Sequence, residues 1–194
     1  MNKISREALD PAWRHVDVLP VCRDGDTLQG TWPLKEMRRL ASSLMGDPPA
    51  GALVNWSAHG QPHPVAGTEP ELWMRLQARA EVHLQCQRCL QALAQIVEVD
   101  RRFLFVRDAG RAEALDEEME DDVLVLPQRL DLPELIEDEL ILALPLVPRH
   151  EGSCPQPLPQ QALDALAEES APHPFAALQA LRDRTGGGPG GSAT

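Results

Sequence analysis

The fold is decided by "PELWMRLQARAEVHLQC", residues 70–86, and by the run that answers it, "AQIVEVDRRFLFVRD", residues 94–108. In the first, Ala80, Val82, Leu84 and Cys86 alternate with Arg79, Glu81, His83 and Gln85, the period of a half-buried strand. In the second, Val97, Val99, Phe103 and Phe105 keep the same phase. Two such runs joined by a short segment read as neighbouring antiparallel strands, with Cys86 and Cys89 at their connecting turn.

Working outward, "PPAGALVNWSAHG" reads as another strand, and the first 30 residues as irregular with one short strand. "TWPLKEMRRLASSLMG" spaces Leu34, Met37, Leu40, Ala41 and Leu44 as an amphipathic helix over 34–45, with Pro33 at its start and Gly46 as its stop. "DLPELIEDELILALPLVP" is a second helix, over 131–143. Asp131 caps it, Glu134 completes a capping box and Pro145 ends it. Leu132, Leu135, Ile136, Leu140 and Ala143 form its apolar face, while Glu134, Glu137 and Asp138 look outward. The acidic residues between 113 and 122 read as a solvated loop leading into a short strand, Val123 to Leu126. The expected fold is α+β: an antiparallel sheet, one able to close partly into a barrel, packed by two amphipathic helices. A single domain is expected over 1–155. Residues 156–194 read as a linker, a short amphipathic segment at 174–184 and a flexible glycine-rich tail.

The chain has 194 residues and a formal charge of −12, with 43% hydrophobic residues but only 4% aromatic and no tyrosine. The core is therefore mostly aliphatic. An acidic body repels the phosphate backbone, which argues against a large nonspecific nucleic-acid surface and favours basic partners. No stretch has the length of a membrane span and the N-terminus lacks a secretory h-region, so the expected location is cytoplasmic, where thiols stay reduced.

The four cysteines are Cys22, Cys86, Cys89 and Cys154. Cys86 and Cys89 form a CxxC, and "RHEGSC" places His150 four residues before Cys154. Together these supply a Cys3His ligand set of the kind that holds structural zinc. Two other readings stand beside it, buried thiols and a redox pair, the last weakened by the lack of a thioredoxin-like βαβ setting. Cys22 has no partner by spacing and is expected to be inert. His83 falls on the opposite strand face from Cys86; His59 and His63 read as solvated loop residues. Arg101, Arg102, Arg107 and Arg111 form the one local basic cluster, a weak candidate for RNA. Phosphate loops, HExxH and GxSxG are missing.

"CQRCL", followed by "DLPELIEDELILALPLVPRH" and a distal cysteine, resembles the bacterial YceD family, named for large ribosomal RNA subunit accumulation. "LDPAW", "GTWPLKEMRRLASSL" and "PHPFAALQALRDR" agree with it. The resemblance matches Cys86, Arg88, Cys89 and Leu90 to the cysteine motif, and Glu137, Glu139, Leu140, Leu142, Ala143, Leu144, Pro145, Pro148 and His150 to the helix motif, with Cys154 as the distal cysteine. It implies a cytoplasmic ribosome-biogenesis factor that supports synthesis, processing or stability of 23S ribosomal RNA without being an enzyme. The implied partner is ribosomal RNA or a basic protein of large-subunit assembly. The rival reading is a metal- or thiol-dependent enzyme of RNA metabolism.

Overall fold

The structure, a computed structural model, describes residues 3–7, 11–65, 67 and 69–155. The expected linker, the 174–184 segment and the glycine tail lie outside these.

The elements run β1 (Lys3–Glu7), a 3-10 turn (Pro11–His15), α1 (Val18–Asp24), β2 (Thr27–Pro33), a 3-10 turn (Leu34–Glu36), α2 (Arg38–Ser42), β3 (Leu53–His63), β4 (Glu71–Gln85), β5 (Ala92–Val106), α3 (Ala109–Asp116), β6 (Asp122–Val125) and α4 (Leu132–Leu142). Six strands form one sheet in chain order. The β4–β5 hairpin is the expected one, in register from Leu72 opposite Phe105 to Gln85 opposite Ala92.

Two features of the sheet differ from expectation. It is mixed, because β1 pairs with β2 and β6 with β5 in parallel. A parallel neighbour requires a crossover, and each of these connections carries a helix, α1 in one and α3 in the other. The sheet is also open: β1 and β6 are its opposite edges, so no barrel closes.

One face of the sheet carries the main core. Trp32, Val54, Leu76, Val82 and Phe103 are at most 1% exposed, as are Leu132, Ile136 and Leu140 of α4. The alternation that identified the strands is what places these side chains on one side. Trp13, Trp32 and Trp56 pack together within this core, Trp13 edge-on to Trp56 with ring centroids 5.1 Å apart and Trp32 tilted against Trp56 at 4.5 Å. On the other face a second cluster gathers Trp73, Leu104, Val106 and Val123 of β4, β5 and β6 under Ala112 of α3.

Helix α4 matches its expected span, and the Asp131 carboxylate accepts the Glu134 amide at 3.1 Å. Ala143, assigned to its apolar face, is exposed. The expected helix over 34–45 is broken. Met37 leaves the helical region at ψ 83, and only Arg38–Ser42 form α2. The cause is tertiary. Glu137 of α4, expected to face water, turns to α2 and accepts the amides of Arg39 (2.7 Å) and Leu40 (3.1 Å), capping a helix that has no side-chain cap of its own.

Near the N-terminus, α1 takes the place of irregular chain. Asp17 caps it by accepting the Leu19 amide, and Gly25 ends it at φ 70. It lies against β3 at Gly60, where a methyl group would meet the Val21 carbonyl oxygen at 1.8 Å. His59 and His63 lie in β3 rather than in a loop, and His59 Nδ1 is 2.9 Å from Thr27 Oγ1. The acidic run is only partly a solvated loop. Residues 113–116 finish α3, Asp116 accepts the Val123 amide, and Asp121 pairs with Arg102 at 3.2 Å. The basic cluster is dispersed: Arg101 pairs with Glu139, Arg102 also covers the Trp73 ring, and Arg107 pairs with Glu69.

Candidate metal centre

Strand β3 follows β4 only between His63–Glu71 and Val54–Ala80. Beyond Ala80 the hairpin runs on past the end of β3 and ends in the CxxC turn. The Cys86 amide donates to the Gln91 carbonyl (2.9 Å) and the Leu90 amide to the Cys86 carbonyl (2.8 Å), which closes the turn tightly. Leu90 pays for that closure with φ 61, the one left-handed non-glycine conformation among the described residues.

Helix α4 points its C-terminal end toward the same place. After it, Pro145 and Pro148 carry the chain past the hairpin, where the Gln87 amide donates to the Pro148 carbonyl at 2.8 Å. Gly152, at φ 70, bends the segment between His150 and Cys154. The four residues singled out by spacing meet here. One ligand atom from each of Cys86, Cys89, His150 and Cys154 lies within 4.8 Å of every other.

The geometry suits a metal ion. Zinc–sulfur and zinc–nitrogen bonds of about 2.3 and 2.0–2.1 Å at a tetrahedral angle set sulfur and nitrogen about 3.5 Å apart. Cys89 Sγ and His150 Nδ1 are 3.5 Å apart. Sulfur pairs on a tetrahedral ion would sit about 3.8 Å apart, so the group needs a contraction of about 1 Å at most. The tautomer is suitable as well. His150 Nε2 lies 3.2 Å from the Ala92 carbonyl, which can only accept, so Nε2 carries the hydrogen and Nδ1 presents its lone pair to the sulfurs.

The thiols differ in charge state. Burial alone would push Cys86 up. Hydrogen bonds led by the backbone amides of Arg88, His150 and Cys89 outweigh it and bring the thiol down to about 5. Cys86 is thus a thiolate at neutral pH, the form that binds metal. Cys22, a fully buried residue of α1, is pushed up to about 12 by burial and lies outside the group. Cys86 and Cys89 are buried while His150 and Cys154 are half-buried, so the site opens toward solvent on its distal side. His83 is not among the four.

The family described as "Large ribosomal RNA subunit accumulation protein YceD" matches residues 74–182, a span that includes all four candidate ligands. A protein of that name from Haemophilus influenzae is 32% identical over 158 residues, covering 80% of this chain and 87% of the relative. The chain belongs to the YceD family. No solved structure matches it. Within this YceD chain, spacing picked out the four residues that the fold brings together but not the groups that hold them in place. Arg88 and Leu90 were matched to the cysteine motif, but the arginine's grip on the distal loop, the left-handed turn at Leu90 and the Ala92 carbonyl's contact with His150 are visible only once the loop is seen against the hairpin. No helix of the described residues is long and apolar enough to cross a membrane.

Proposed function

We propose that this chain supports accumulation of large-subunit ribosomal RNA as a non-enzymatic adaptor in the cytoplasm, binding ribosomal RNA or a basic assembly protein. The observation that carries the reading is its 32% identity, over 80% of the chain, to a relative named for that role. The charge of −12 supports an adaptor over a general RNA binder, since phosphate is repelled by most of the surface. Exposed Leu90, Leu142, Leu146 and Val147 at the hairpin and metal end supply apolar area for a protein contact.

In this reading Cys86, Cys89, His150 and Cys154 hold a structural zinc ion that staples the chain after α4 to the hairpin tip. Four protein ligands close the coordination sphere, whereas a catalytic zinc keeps one position open, so the ligand set supports a staple over the rival metal enzyme.

In cells lacking the gene, the intact chain should restore the ratio of large- to small-subunit ribosomal RNA. A chain that folds but leaves that ratio unrestored defeats the proposal. Filter binding at two salt concentrations tests the adaptor: tight, sequence-blind RNA binding with a steep salt slope would contradict it. Cys89→Ser separates staple from enzyme. Loss of function together with local folding marks the staple; loss of function with the fold intact marks a catalyst.

A further inference from the structure

We propose that Arg88 is the positioning residue of this centre, a clamp that holds the distal ligand loop in place for metal. The inference rests on the metal reading above. Arg88 lies between the two hairpin ligands, and its Nη2 donates to the carbonyls of His150, at 3.4 Å, and Gly152, at close range. Those two carbonyls belong to the loop that carries His150 and Cys154.

The other backbone tie, from the Gln87 amide to Pro148, fixes the loop before His150. Past that point Arg88 grips it, two residues short of Cys154. The loop reaches the tip from about sixty residues downstream, and its ordering entropy opposes binding unless something else has already met that cost. The guanidinium does so through the two hydrogens of one terminal nitrogen, held in the plane of a rigid group, whereas a lysine ammonium rotates freely at the end of a flexible stem. It also sets a positive charge beside a centre that three thiolates and a divalent ion would leave at −1.

The test uses the full chain as wild type, Arg88→Ala, Arg88→Lys and Arg149→Ala. Zinc affinity is measured by competition with a chromophoric chelator, and cobalt(II) absorption reports the tetrahedral field. Arg88→Ala should bind zinc about tenfold or more weakly, the range for groups that orient ligands, and should dim the tetrahedral cobalt bands. Arg88→Lys should fall between, and Arg149→Ala, which removes the same charge next to His150, should match wild type.

Wild-type affinity and spectrum in Arg88→Ala would overturn the clamp. Equal losses in Arg149→Ala and Arg88→Ala would overturn it too, because net charge would then explain both. A wild-type chain that binds neither ion removes the metal centre itself, a failure distinct from the first two. Should Arg88→Ala not fold, Arg88→Lys carries the test, and wild-type behaviour there counts against the proposal.

Discussion

The two ends of the β4–β5 hairpin are built by the same alternation but held by different means. At the base, Met74, Leu76 and Phe103 are buried against the helices on one face, while α3 covers Trp73 and Leu104 on the other. The base is a core element on both sides. At the tip, Val82 and Leu84 are still buried on the core side, but β3 has ended and Ile96 is 48% exposed. What the tip lacks in neighbours is made up by polar groups: the four side chains of the candidate metal centre, one arginine and a handful of backbone hydrogen bonds. Where a hairpin outruns its sheet, a few polar groups with demanding geometry take over from apolar area.

That contrast breaks most visibly by damaging the base. Phe103→Ala should cost about 3–5 kcal/mol, the range for emptying a buried aromatic site. The loss should be the same with and without zinc, read by urea unfolding. A cost that depends on zinc would mean the base leans on the tip. The complementary experiment removes the metal. At free zinc a hundredfold above Kd, stabilisation by binding should be about 2.7 kcal/mol. Chelation should speed amide exchange around residues 82–95 while the base keeps its protection. Uniform acceleration along the whole hairpin would erase the distinction between the two ends.

A smaller effect is expected where α2 borders the tip. The Met45 amide donates to the His83 carbonyl at 2.7 Å, so the chain leaving α2 flanks the part of β4 that β3 does not reach. Glu137→Ala removes the carboxylate that starts α2 and should cost about 1 kcal/mol, as lost caps do. The accompanying rise in exchange should appear at α2 and at 83–85. Destabilisation confined to α4 would show that the cap is incidental.

These expectations separate what could be read from residue order from what could not. The hairpin was legible because fifteen-residue strands repeat one alternation long enough to be unambiguous. The meeting of Cys86, Cys89, His150 and Cys154 was legible because CxxC and His-x-x-x-Cys are spacings that suit a shared ion, and α4 because Asp131 and Glu134 carry its start signal locally. What escaped depends on distant groups. Leu34, Met37, Leu40 and Leu44 have helical spacing, yet a carboxylate about a hundred residues away begins a new helix at Arg38. Seven-residue α1 is too short to show a period, and strand direction at the sheet edges follows from crossovers rather than from strand composition. The acidic run escaped for a similar reason. Ala112 and Leu115 pack α3 over Trp73, so deleting 113–122 would uncover a core, and Gln substitutions at Glu113, Glu117, Glu118 and Glu120 are the cleaner probe of charge.

The least effect is expected at Glu139, the buried carboxylate of α4 facing Arg101. Burial pushes its carboxyl above the usual 4.5, Asp122 adds to the rise, Arg101 opposes it and Asp138 adds again. A carboxyl raised in the folded state favours folding while protonated. That contribution is complete below the unfolded value near 4.5 and is lost as pH climbs through the folded value. At pH 7 the charge is therefore a net cost that the arginine does not fully offset. Glu139→Gln should match or exceed wild-type stability at pH 7, by less than about 1 kcal/mol given the exposed partner. The difference between the two proteins should close as pH falls toward 4. Acid would also strip any metal held at the hairpin tip of both proteins, and comparing them at each pH cancels that shared loss. A mutant that is weaker at pH 7, with a gap that widens on going from acid to neutral pH, would mean that the Arg101 pair outweighs burial and that the hairpin base is held by charge as well as by packing.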